Sequence, residues 1–239
     1  MRIVAIIPAR IDSKRLPRKV LRMIAGKTML QRVYEAAAAC PLLHEVIIAT
    51  DSQEVLDICA QHGWSARMTS AKHRSGTDRV HEVAESVAAD VYVNVQGDEP
   101  LARPEHITAL LGPMEQAVVQ VSTIATPAKI VDIANQNAVK VVTDIQGRAL
   151  YFSRSTIPFD RDGAGTFPYR KHLGFYAYRR PALDLFCTLE ESALERSERL
   201  EQLRFLENGV PIHVAETPFD TIGVDTEDDL KRVESILKG

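Results

Sequence analysis

The sequence predicts an α/β fold with a mostly parallel central sheet, flanking helices and a smaller inserted lobe. Three observations carry this expectation. Near-continuous β-branched apolar runs at residues 3–7, 45–50 and 91–95 read as buried strands. Stretches with helical periodicity lie between them, at residues 29–39, 53–62 and 77–87. The β-α-β-α order that results calls for parallel pairing through helical crossovers.

Residues 65–69 add a weaker strand candidate. In the second half, residues 118–125, 139–143, 149–152 and 175–178 read as strands, and residues 160–168 as a loop. Residues 198–206 read as a helix ended near Asn208-Gly209, and residues 227–237 as another. No Gly/Ser/Pro-rich linker and no internal repeat divides the chain. A single domain over residues 1–239 is expected, its first part being mainly 1–125 and its second mainly 126–225.

Composition narrows the function classes. With 45% apolar and 26% charged residues the chain is an ordinary folding sequence. A formal net charge of -3 argues against nucleic acid as a partner. Cys40, Cys59 and Cys187 form no CxxC pair, so neither a zinc ribbon nor a disulfide framework is indicated. The first apolar run is too short for a signal peptide. No apolar stretch approaches the roughly 20 residues of a membrane span. The expectation is a soluble cytoplasmic protein with no membrane partner.

Against this acidic background, the segment from Arg10 to Arg22 holds six Lys or Arg and one acid, Asp12. A charge run reads most simply as a solvated loop. Here, however, it follows a buried strand directly, where α/β ligand sites lie. Pro8 and Pro17 also stiffen it. Arg10, Arg15 and Lys19 are therefore candidates for a polyphosphate clamp, the guanidiniums forking onto oxygens and the ammonium acting as a point charge. Lys14 and Arg22 read as solvated. Gly26-Lys27-Thr28 resembles the tail of a P-loop, but Leu21 stands where that motif needs glycine. His81 to Glu85 is not a zinc HExxH, since its fifth residue is Glu85.

Acidic candidates stand at other segment ends. Asp98 follows the strand at 91–95, with Gly97 permitting close backbone approach and Pro100 stopping the strand. It reads either as a turn aspartate or as a Mg²⁺ ligand, an ion that takes one or two carboxylates with phosphate oxygens and water. Asp225 has two readings. Thr226 and Asp229 fit a capping box that leaves it free, or it caps the last helix itself. Ser75 opens a helix as Ser-x-x-Asp, with Gly76 in the first turn, where N–H groups can meet an anion.

Taken together, PAR at 8–10, SKRLP at 13–17, SGTDR at 75–79, VNVQGDEP at 93–100, NAVKVV at 137–142, ALYFSRSTIPFDRD at 149–162, HLGFYAYR at 172–179, RLEQLR at 199–204 and GVDTEDDL at 223–230 resemble one family. It is the 3-deoxy-manno-octulosonate cytidylyltransferases, or CMP-Kdo synthetases. The likeness runs over nearly the whole chain. It implies a Rossmann-like nucleotidyltransferase fold, transfer of CMP from CTP to Kdo with Mg²⁺, a homodimer, and a place in lipopolysaccharide synthesis. It further implies Pro8, Ala9, Arg10, Arg15, Lys19, Ser75 and Gly76 at the nucleotide, and Asp98 and Asp225 at the metal. On the sugar-acid side it implies Gln96, Arg154, His172, Tyr176, Glu201 and Gln202. His172 is then a hydrogen-bonding group rather than a general base. Related acceptors, an 8-amino sugar or sialic acid, and a non-catalytic nucleotide-binding protein are the alternatives. One position departs from the family: Arg18 replaces the glycine of Leu-Pro-Gly-Lys-Pro-Leu and leaves the loop conformation open.

Overall fold

Ile3–Pro8 (β1) is buried along almost its whole length and accepts a parallel neighbour on each side. The computed structural model describes every residue except Lys14 and Arg74. The expected solvation of Lys14 lies outside the described residues. The chain divides into two compact units, 1–108 with 221–239, and 109–220.

After β1, the first unit carries β2 (Met23–Ile24), β3 (Lys27–Thr28), α1 (Met29–Ala38), β4 (Glu45–Thr50), α2 (Gln53–His62), β5 (Ser65–Met68), α3 (Gly76–Ser86), β6 (Val91–Asn94) and α4 (Pro104–Leu111), ending at Thr108 within that last helix. β4 and β6 flank β1, and β5 pairs with β4, all parallel. The strands expected from near-continuous apolar runs are therefore the sheet. The GKT segment forms a β2–β3 hairpin whose Thr28 caps α1 by accepting from Gln31 N, at 3.1 Å. It has no part in phosphate binding geometry of the P-loop kind. Helix Glu227–Lys238 completes the unit; Leu230 and Val233 pack with Leu16, Ile24, Met29 and Val224.

The second unit carries β7 (Val121–Pro127), α5 (Ile130–Ile133), β8 (Lys140–Thr143), β9 (Ala149–Ser153), β10 (Arg170–Arg179), α6 (Arg180–Thr188), α7 (Ala193–Glu198), α8 (Leu203–Glu207) and β11 (Ile212–Glu216). β7 is its central strand, antiparallel to β10 and parallel to β11. β10 is far longer than the four residues expected, and it bulges between Leu173 and Tyr176. His172 stands opposite Ala125 and Tyr176 opposite Thr123, so both side chains use one face. The helix expected at 198–206 is two helices. Arg199 adopts φ 55 and breaks it, which leaves Glu201 and Gln202 in the turn before α8.

Two local features position the first unit's loops. A Cβ on Gly97 would lie 2.5 Å from the Pro8 carbonyl oxygen, so only glycine lets this backbone close against the end of β1. Arg18 takes the left-handed conformation, φ 55 and ψ 35. The conformation that glycine adopts cheaply is thus held by a residue with a side chain, whose guanidinium ion-pairs with Glu54 in the first turn of α2. Arg22, expected to be solvated, is partly exposed and pairs at the surface with Glu227 at 2.7 Å in the first turn of the last helix.

Gly97→Ala is expected to lower stability by roughly 1–3 kcal/mol in chemical denaturation, since the methyl group has only backbone to push against. At position 18, Arg18→Gly is expected to be more stable than Arg18→Ala by about 1 kcal/mol. Both variants lose the Glu54 pair, so their difference isolates the left-handed backbone.

Candidate active site

The basic loop is shaped by one apolar anchor. Leu16 is 2% exposed and packs in the cluster that holds the last helix. Pro17 and left-handed Arg18 then turn the chain into a short 3-10 segment, Lys19–Leu21, with Leu21 N donating to Arg18 O at 2.9 Å. This delivers Lys19 inward. Its Nζ donates to Asp98 Oδ2 at 2.5 Å and to Asp225 Oδ1 at 3.0 Å. Arg15 reaches the other Asp225 oxygen at 2.8 Å.

Both aspartates arrive on constrained backbone. Asp98 follows Gly97, and its carbonyl accepts from Val224 N at 2.9 Å, tying the two acidic segments side by side. Thr226 caps the last helix by accepting from Asp229 N at 3.2 Å, while the Asp229 carboxylate accepts from Thr226 N at 2.9 Å. This decides between the two readings of Asp225: the cap is Thr226, and Asp225 presents its carboxylate to Lys19 and Arg15.

The electrostatics follow from burial set against pairing. Burial alone would lower the Lys19 pKa, but Asp98 and then Asp225 outweigh it and hold it above the ordinary lysine value. Burial likewise disfavours charged Asp225, and Lys19 followed by Arg15 overrides it, holding that carboxyl below the usual range. Among the described residues, no three His, Cys, Asp or Glu side chains converge on one point. Two carboxylates bridged by an ammonium are nevertheless a donor set that already holds a cation. It suits Mg²⁺, which draws its remaining ligands from water and phosphate oxygens.

A cavity of about 200 Å³ opens beside this cluster. Of the expected residues, Pro8, Arg10, Lys19, Ser75, Gly76, Gln96, Asp98 and Asp225 line it. Arg15 contributes through Asp225. Ala9 does not line it, and its backbone is spent on β4: N donates to Ala49 O at 2.8 Å, and the carbonyl accepts from Thr50 Oγ1 at 2.7 Å. Ser75 caps α3, accepting from Asp78 N at 3.1 Å. Ser13, His73 and Arg79 also line the cavity and were not anticipated. Arg79 is buried, ion-paired with Asp51, and donates to Thr69 Oγ1 at 2.6 Å; Asp51 in turn accepts from Ile11 N at 3.2 Å. Asp51 sits just past the end of β4, the kind of position that pointed to Asp98 after β6.

The remaining candidates all belong to the second unit. His172 is only partly covered as a residue, yet its ring is enclosed. Nε2 lies 2.9 Å from Thr123 Oγ1, and Phe152 packs edge-on with centroids 4.9 Å apart. Burial pushes the imidazole down to about 3, so it is neutral at physiological pH. Tyr176 is buried beside it, with centroids 5.5 Å apart. Its hydroxyl lies near Thr123 without a formed bond, and burial, then Tyr178 and Glu201, raise its pKa. Gln202 is buried too, and its Nε2 has no partner among the described residues. Arg154 donates through Nε to Glu198 O at 2.8 Å and through Nη1 to Gln136 O at 3.1 Å. Its own carbonyl accepts from buried Lys140 Nζ at 2.6 Å. Lys140 also donates to Ala138 O at 2.7 Å and Asn135 O at 2.8 Å.

The family model described as cytidylyltransferase matches residues 4–215. The chain is 71% identical to the 3-deoxy-manno-octulosonate cytidylyltransferase of Koribacter versatilis, over 98% of this chain and 90% of that one. It is 60% identical to the enzyme of the same name from Acidobacterium capsulatum, over 99% and 97%. Among solved structures, a CMP:2-keto-3-deoxy-manno-octonic acid synthetase complexed with CTP is 42% identical with a TM-score of 0.94, covering 100% of this chain and 99% of that one. A 4-diphosphocytidyl-2C-methyl-D-erythritol synthase from Anaerococcus prevotii, 16% identical with a TM-score of 0.68 over 100% and 96%, shares the fold. These matches agree with the motifs clustered around Lys19, Asp98 and Asp225, and the chain belongs to the 3-deoxy-manno-octulosonate cytidylyltransferase family.

Proposed function

We propose that this chain transfers CMP from CTP to the anomeric hydroxyl of 3-deoxy-D-manno-octulosonate (Kdo), giving CMP-Kdo and pyrophosphate for lipopolysaccharide biosynthesis in the cytoplasm. The observation that carries the reading is the cavity where Arg10, Lys19 and the carboxylates of Asp98 and Asp225 converge. Cations there suit a triphosphate, and paired carboxylates suit Mg²⁺. In the reaction the hydroxyl oxygen of the acceptor bonds to the α-phosphorus and the bond to the β-phosphate oxygen breaks. The hydroxyl proton passes to solvent and pyrophosphate departs.

The work is mainly positioning and charge stabilisation. Asp98 and Asp225 would hold Mg²⁺, which supplies positive charge to the α-phosphate and to the attacking hydroxyl. Arg10, Arg15 and Lys19 hold the phosphates and stabilise the leaving pyrophosphate. Ser75 and Gly76 meet the nucleotide at the start of α3. Pro8 and Ala9 shape the backbone beneath it.

On the acceptor side we assign Gln96 and, from the second unit, Arg154, His172, Tyr176, Glu201 and Gln202. The support is chemical. Buried donors at Tyr176 and Gln202 have no partner among the described residues, as expected of groups that bond a polyol. A guanidinium has five N–H donors, so Arg154 keeps some for a carboxylate while it grips backbone carbonyls. Neutral His172 accepts or donates a hydrogen bond but is too weak a base to take a proton from the hydroxyl. A homodimer is part of the same proposal. Ile130 and Phe159 of the second unit are 89% and 84% exposed, with Val131 and Phe167 also solvent-facing, the kind of apolar surface a second copy would cover. No helix among the described residues is long and apolar enough to cross a membrane.

Incubation with CTP, Mg²⁺ and Kdo is expected to release pyrophosphate, and sialic acid in its place to release far less; absence of release above background would overturn the reading. Asp98→Asn, with circular dichroism unchanged, is expected to lower the single-turnover rate by on the order of 100-fold or more. The His172 imidazole changes charge only near pH 3, so it contributes no limb to the pH–rate profile between pH 5 and 9. His172→Gln is therefore expected to lower kcat/KM for Kdo and leave the shape of that profile unchanged.

A further inference from the structure

The position between Asp98 and Asp225 is held by a cation that the chain itself supplies. Lys19 Nζ sits 2.5 Å from one carboxylate and 3.0 Å from the other. Its side chain is only 13% exposed. The backbone that presents it is fixed by buried Leu16 and by the left-handed turn at Arg18, so the ammonium is aimed at the pair and does not sample it from solvent. Arg15, from the same loop, closes on the far oxygen of Asp225 at 2.8 Å.

One ammonium cannot bridge these oxygens while a divalent ion lies between them, because two cations would then share one small space. A metal ion approaching alone must displace a charge-assisted pair of hydrogen bonds and leave Lys19 facing a like charge. A triphosphate changes this balance, since its oxygens give Lys19 and Arg15 new partners beside the same cavity. We propose that Lys19 is an exchangeable internal counter-ion. It occupies the metal position until the nucleotide draws it away, so metal and CTP bind as a unit and the metal alone binds weakly. This rests on the reading of Asp98 and Asp225 as the metal ligands. It adds to that reading a second role for Lys19, which makes nucleotide binding the gate for metal binding.

Mn²⁺ serves as the probe, with free ion followed by electron paramagnetic resonance and no nucleotide present. Lys19→Met is expected to bind Mn²⁺ at least about tenfold more tightly than wild type, because a competing unit charge at contact distance is gone. Lys19→Arg, which keeps the charge, is expected to bind as weakly as wild type. Equal or weaker binding by a folded Lys19→Met overturns the proposal. If that variant does not fold, Lys19→Gln takes its place with the same two outcomes. Adding Asp98→Asn to Lys19→Met separates the two layers. Loss of the Mn²⁺ site supports the carboxylate assignment whichever way the Lys19 comparison falls. Retention of tight binding overturns that assignment and the counter-ion proposal with it.

Discussion

Two carboxylates brought to one point need a cation between them, and Lys19 supplies it. The three residues come from positions 19, 98 and 225, and each arrives by a different device: a left-handed turn, a glycine pressed against the end of β1, and a capping box that leaves its neighbour unused. In each case it is the local backbone geometry that sets where the charged side chain goes. The apolar cluster of Leu16, Ile24, Met29, Val224, Leu230 and Val233 lies beneath them and spans two of these three chain segments. Charge neutralisation above and burial below therefore act on the same pieces of chain, and each restricts the freedom of the other.

The second unit solves a different problem with different means. Its candidate residues are mostly neutral donors and acceptors held in apolar surroundings. His172 is enclosed by Thr123, Phe152 and Tyr176, and the bulge in β10 brings His172 and Tyr176 to one face. The buried ammonium of Lys140 is satisfied by three backbone carbonyls and pins the loop before β8 to Arg154. Charge around Lys19 in the first unit and mostly neutral hydrogen-bonding groups in the second are the features on which the proposed triphosphate and sugar-acid roles rest.

Strands β1, β4 and β6 of the first unit were legible because each is a nearly unbroken apolar run rich in β-branched residues, a pattern that burial on both faces imposes, whereas the edge strand β5 has no such run and read only weakly. The basic segment and Asp98 were legible for a related reason, since they follow two of those runs, whereas Asp225 stood out only beside the capping pattern of the last helix. What was not legible lay in backbone states that side-chain identity does not announce. Arg18 and Arg199 both take positive φ, and the second splits a segment whose pattern is otherwise helical. Nothing in the residue types at 170–174 distinguishes a long bulged strand from the loop before it. Arg79 was hidden for the opposite reason: it stands on a helix, where an arginine is usually solvated, and its partners Asp51, after β4, and Thr69 are distant in sequence. For the second-unit candidates, burial and the unpartnered donors of Tyr176 and Gln202 were invisible in the sequence, which is why those residues rested on the family likeness.

The first unit is discontinuous, and this has a consequence for its biogenesis. A ribosome adding roughly 5–20 residues per second makes Lys19 and Asp98 early, then spends on the order of ten seconds on the second unit before Asp225 exists. During that interval Leu16 and Ile24 lack their partners on the last helix, and one carboxylate is missing from the cluster. The growing chain therefore carries a parallel sheet with an unfinished floor and an incomplete charge set. The unit that holds Lys19, Asp98 and Asp225 is completed only after the intervening unit has been synthesised, so its assembled charge cluster also marks completion of a part of the chain it does not contain.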